Sequence, residues 1–171
     1  QSEHYMVFSI SFEGLGLEDF QDAANFCEAF LRLLEARAAQ EQQEELASFL
    51  LAQSTQLTKM SALSRAITKK VQLSGKKVVL LIDEVDKSSN NQLFLDFLGL
   101  LRHKYLDAQA GMDTTFHSIV LAGVHDVKTL KAKLRADEEA KQNSPWNIAA
   151  EFKVTMSLLP HEIVPMLEDY A

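Results

Sequence analysis

Cysteine occurs once in the 171 residues, at Cys27, so the chain closes no internal disulfide and assembles no cysteine-based zinc cluster. That usage fits a reducing compartment, and the expected location is the cytoplasm. Glycine (6) and proline (3) are scarce, which excludes collagen-like and low-complexity architectures. Long hydrophobic runs are absent too. The longest, VVLLI at 78–82, is far short of the roughly 20 residues that a membrane-spanning helix needs, so no membrane partner is expected. Positive charge is in the minority, with 17 Lys+Arg against 24 Asp+Glu and a net charge of −7. Such a domain exerts no long-range attraction on a nucleic-acid backbone, and any binding of that kind needs a local basic patch. Lys69, Lys70, Lys76 and Lys77 form the one candidate patch, and they read as a solvated helix end and strand entry. No signal peptide opens the chain, and the first residue is Gln1 rather than Met. A segment upstream is therefore expected to have been cut away.

What is present is 47% hydrophobic and 24% charged, the composition of one ordinary globular domain with enough apolar surface to form a core. Strand-like and helix-like patterns alternate, which predicts an α/β layer architecture. Residues 5–12 (YMVFSISF) form a first strand, broken by Gly14 and Gly16. Leu17, Phe20, Ala24, Cys27, Leu31, Leu34 and Ala38 then step by three and four along one helix face, placing Cys27 in the core. After the polar turn QEQQEE at 40–45, a second helix carries Leu46, Phe49 and Leu50. A third carries Leu57, Met60, Leu63, Ile67 and Val71 and stops at Ser74 and Gly75. The run VVLLI that follows has no alternation, so it predicts a central strand of a parallel sheet, buried on both faces. Phe94, Phe97, Leu98, Leu101 and Tyr105 mark one face of the next helix, capped from the polar loop at 87–91. Residues 116–123 (FHSIVLAG) read as another buried strand. A short helix at 127–135, a strand at 152–158 and a last helix from Pro160 complete the pattern.

Where the aliphatic strand ends, Asp83 and Glu84 stand side by side. An unpaired carboxylate at a buried strand end is costly, so the pair calls for either a structural exit turn or a function. In a phosphate-cleaving site both acids have roles: the first holds a magnesium ion through water, and the second polarises the attacking water. Ligands of open α/β sheets bind at the carboxyl ends of the strands, where these two lie. Four or more apolar residues followed by Asp-Glu make a Walker B pattern.

From residue 77 onward the sequence resembles the bacterial AAA-like predicted ATPases, a branch of the P-loop NTPases related to AAA+ and STAND proteins. The resemblance is carried by VVLLIDEVDKSSNNQLFLDFLGLLRHKYL (78–106), TFHSIVLAGVHDVKTLK (115–131), NSPWNIAAEF (143–152) and VTMSLLPHEIVPMLEDY (154–170), with VFSISFEGLG (7–16) similar to the strand after the Walker A helix. It implies a three-layer, mostly parallel sheet flanked by helices, with a core at 1–159 and the start of a C-terminal helical lid at 160–171. It also implies that Asp83 is the magnesium-associated acid and Glu84 the catalytic base. Either His125 or Asp126 occupies the sensor 1 position, and the sequence does not choose between them. Trp146 and Asn147 fall in a family motif before the last strand, in structural roles, and Asp86 and Arg135 read as solvated charges. ATP and Mg2+ are the implied ligands, and a homo-oligomer or an appended effector domain the implied partner.

One departure qualifies all of this. The phosphate-cradling G-x-x-x-x-G-K-[ST] is missing, because Gly75-Lys76 is followed by Lys77 and leads into a strand, whereas a phosphate loop leads into a helix. The strand that feeds it, expected between the strands at 116–123 and 152–158, is missing as well. The reading is therefore an AAA-like core without its first strand and P-loop, with ATP and Mg2+ expected to bind only when that segment is supplied. Two rivals stand beside it: an interaction module that keeps the fold without nucleotide chemistry, and a metal-dependent nuclease using Asp83, Glu84 and Asp86.

Overall fold

The computed structural model describes residues 4–85, 91–123 and 164. Within them run β1 (Tyr5–Ser11), α1 (Ala23–Gln40), α2 (Glu44–Ser54), α3 (Met60–Ser74), β2 (Lys77–Asp83), α4 (Gln92–Gln109) and β3 (Ser118–Leu121). The strands pair in parallel in the order β1-β2-β3, with Ser11 opposite Asp83 and Ile82 opposite Leu121. VVLLI is thus the central strand of the described sheet, as expected. The helix expected at 127–135 and the strand expected at 152–158 lie outside the described residues, and of the helix expected from Pro160 only Val164 is described, in helical conformation and exposed.

Parallel neighbours need a crossover, and both crossovers here step in the same direction. Because such connections are right-handed, they place their helices on the same face of the sheet. Burial follows: Phe8, Ile10, Val78, Leu80 and Ile82 are buried, whereas their alternates Tyr5 and Val7 are exposed and Val79 and Leu81 half-buried. Of the burial expected on both faces of VVLLI, the helix-covered face is fully buried and the other is half-buried. Of the three expected layers, the described residues supply two, the sheet and one layer of helices.

The core between them is aromatic. Phe97 of α4 lies 5.0 Å, centroid to centroid, from both Phe26 and Phe30 of α1, while Phe12, just past β1, meets Phe20, Phe26 and Phe94 edge-on. Each such pair adds about 0.5–1.5 kcal/mol beyond the area it buries. Cys27 is fully buried among them, as its place on the stripe predicted.

The helices depart locally from the expected bounds and stripes. The first helix begins at Ala23 rather than near Leu17, because the Asp22 carboxylate accepts the Ala24 and Asn25 N–H groups and caps it there. A short 3-10 helix, Glu18–Phe20, precedes the cap and leaves Leu17 86% exposed. The third helix begins at Met60, leaving Leu57 outside it though still packed on the core. Tyr105 is exposed, and Lys104 takes the buried position expected of it. One stop and one start match the reading: Gly75, at φ 61°, closes α3, and the Asn91 side chain caps the start of α4 by accepting the Leu93 N–H. The strand expected at 116–123 is shorter and wetter than a buried strand, with Val120 41% exposed. Among the described residues β3 pairs on one side only.

Candidate functional site

Three parallel strands bring their carboxyl ends to one side of the sheet, and the acid pair leaves from the middle one. Asp83 is the last residue of β2 and is exposed. Its carbonyl accepts the Phe12 N–H at 3.0 Å, and its own carboxylate accepts the Glu84 N–H at 2.9 Å. Glu84 has φ +56°, the left-handed region that non-glycine residues seldom adopt. Val85 follows, fully buried, with its N–H donating to the Ala122 carbonyl at 3.1 Å. The acid pair is thereby flanked by the ends of β1 (Ser11, Phe12) and β3 (Ala122, Gly123).

The structure joins Asp83 and Glu84 in one exit turn; His125, Asp126 and Asp86 lie outside the described residues, as do Arg135, Trp146 and Asn147. Among the described residues, no group of three or more His, Cys, Asp or Glu is arranged to hold a metal ion. Two adjacent carboxylates, one exposed and one half-buried, are too few to cage a metal by protein alone, and a hard cation held there keeps waters in its shell. Cys27 is no nucleophile: burial pushes its thiol up to about 11. Two of the four clustered lysines rest on aromatic rings. The Lys70 ammonium sits 5.1 Å from the Phe49 ring centroid and that of Lys77 5.6 Å from Tyr5. Burial lowers the Lys70 pKa, against the opposing pull of Glu45.

One charged cluster escaped the sequence reading. Lys104, 1% exposed, donates to Asp113 Oδ2 at 2.6 Å and to Thr68 Oγ1 at 2.5 Å, and Thr68 in turn donates to Asp113 Oδ1 at 2.7 Å. Burial by itself would raise the Asp113 carboxyl, but bonds from Lys104, Thr68 and the Thr114 N–H, with the Lys104 charge, hold it below its ordinary value. The network ties α3 and α4 to the loop that enters β3. A signal was available, since Lys104 continues the apolar 94-97-101 steps of α4 by three.

These features define a class: an α/β protein with a parallel sheet, helices packed on it, and a carboxylate pair at the carboxyl end of the central described strand. A family model described as Predicted AAA-ATPase (AAA-ATPase_like) matches residues 1–131, and the chain belongs to that family. The match contains both acids and stops short of the motif at 143–152. Neither a curated protein nor a solved structure matches the chain. Among the described residues, no helix is long and apolar enough to cross a membrane.

Proposed function

We propose that Asp83 and Glu84 are the acidic half of an ATP-hydrolysing site, and that hydrolysis there drives a conformational change in an appended domain or partner. The observation that carries the reading is the exit turn: both acids leave the central described strand at the carboxyl end of a parallel sheet, in a chain that belongs to a predicted AAA-ATPase family. Asp83 would hold Mg2+ through water, and the bound ion would offset phosphate charge. The Glu84 carboxylate accepts a proton from the attacking water as the water oxygen bonds to the terminal phosphorus and the bond from that phosphorus to the bridging oxygen breaks, releasing ADP and phosphate. His125 or Asp126, a few residues past β3, contacts the terminal phosphate.

The phosphate cradle is the part this chain does not contain. We assign it to a segment upstream on the same polypeptide, whose strand pairs with the outer edge of β3. The resemblance supports that assignment, since it puts the strand ahead of the phosphate loop beside the strand at 116–123. The P-loop NTPase core then spans 1–159, with a helical lid starting at 160, and the compartment is the reducing cytoplasm.

The test is Mg2+-dependent ATP turnover by the polypeptide carrying its natural upstream residues. Turnover that falls on changing Glu84 to Gln, with nucleotide still bound, supports the reading. Nucleotide binding neither with nor without Mg2+ favours an interaction module that keeps the fold alone, and metal-dependent cleavage of nucleic acid without nucleotide favours the nuclease.

A further inference from the structure

The left-handed turn at Glu84 has a cause in the strand's own alternation. Residues 78, 80 and 82 of β2 point into the helix-covered face, and continued pleating would send residue 84 after them into the apolar layer. Instead Val85 is the residue fully buried in the hydrophobic core, and Glu84 is half-exposed. One residue with positive φ exchanges the two. It is fixed from both sides: before it, the Asp83 carbonyl is held by Phe12 N–H, and after it, Val85 N–H is held by the Ala122 carbonyl. Ala122 is itself tied back to β2 through its N–H on the Ile82 carbonyl at 2.9 Å. A strained backbone conformation persists only where its surroundings over-determine it, and here three hydrogen bonds and one buried side chain do so.

We infer that Val85 is the positioning residue for Glu84: its buried side chain, with its N–H bond to Ala122, imposes the turn that directs the Glu84 carboxylate out of the apolar layer and links its placement to the end of β3. The inference rests on Glu84 being the residue that takes the proton from water. Val85 itself touches no substrate and acts through the backbone of its neighbour. A shift of Ala122, at the mouth of the segment leading to His125 and Asp126, is transmitted to the carboxylate through one hydrogen bond. Small displacements of a base are enough to cost rate without costing ground-state binding.

The experiment compares Val85→Ala, Val85→Ile, Glu84→Gln and Glu84→Gly in the polypeptide with its natural upstream residues, each assayed for ATP turnover well below its own Tm. Val85→Ala should lower kcat by about tenfold or more with KM within about twofold, and Val85→Ile should restore most of it. A kcat within about twofold of the parent in Val85→Ala, while Glu84→Gln is inactive, overturns the positioning role and leaves Glu84 in place. Full turnover in Glu84→Gln removes the base reading instead, so the two failures are separable. A readout independent of activity guards against misfolding of the Val85 variants. Relief of the imposed turn by Glu84→Gly should raise Tm by about 2–4 °C relative to Glu84→Gln, and an unchanged or lower Tm contradicts an imposed turn.

Discussion

Removing the Asp113 carboxylate should be the most damaging single change outside the aromatic core, and its size follows from where Lys104 sits. The Lys104 side chain is 1% exposed, and its ammonium has Asp113 at 2.6 Å and Thr68 at 2.5 Å as hydrogen-bonding partners. Asp113→Ala leaves that charge buried with one neutral acceptor, a loss of about 3–5 kcal/mol for a broken buried pair. Domain stability is about 5–15 kcal/mol in all, so the variant should lose a large fraction of it. At about 2–4 °C per kcal/mol for a chain of this size, Tm should fall by roughly 6–20 °C. Lys104→Met removes the buried charge itself, and Asp113, 19% exposed, keeps water, Thr68 and the Thr114 N–H as partners. The double variant Lys104→Met, Asp113→Ala should therefore recover about 2 kcal/mol or more of the single Asp113→Ala loss. Urea unfolding followed by circular dichroism measures all three. A loss below about 1 kcal/mol for Asp113→Ala would mean that the pair behaves as an ordinary surface ion pair, and the argument from burial would be wrong.

The same network sets an acid limb. The Asp113 carboxyl is held below its unfolded value of about 3.9, so its contribution is complete above that pH and is lost as pH falls through the lowered native value. In stability measured against pH, the Asp113→Asn variant should show a shallower decline on the acid side than the parent. Phe97→Ala, which empties the ring position between Phe26 and Phe30, should cost about 3–5 kcal/mol in the same urea assay. Cys27, with its thiol raised to about 11 and fully buried, should react with a disulfide reagent at neutral pH only as fast as the core opens. Its rate should rise steeply with sub-denaturing urea, and prompt reaction in the native protein would contradict its placement. Gly75→Ala, at φ 61°, should destabilise by about 1 kcal/mol, read as a lower urea midpoint.

Much of the architecture was readable where one local rule dominates. Five consecutive aliphatics announced the central strand, Gly75 the end of α3, the polar loop at 87–91 the start of α4, and Asp83-Glu84 the acidic strand exit. The misreadings have a common origin in competition between periodicity and a local or distant bond. Leu17 fits the apolar spacing of α1, but the Asp22 carboxylate takes the first free N–H groups and starts the helix six residues later. Tyr105 fits the stripe of α4 by one count and Lys104 by another; a partner 9 residues away, Asp113, decided in favour of the lysine. The second face of VVLLI is half-buried rather than fully buried, an alternation of exposure that its uniform composition hides. The turn at Glu84 was not legible at all. It is held by Phe12 and Ala122, residues some 70 and 40 positions away in the chain, and no local pattern records such bonds.

The central claim is that the acid pair cleaves a nucleotide. It is tested most directly by following bound ATP and released phosphate together, in the polypeptide with its natural upstream residues and in its Glu84→Gln variant. The account predicts ATP bound by both, and hydrolysis at least about 100-fold slower in the variant. Equal rates of phosphate release from the two proteins would contradict it.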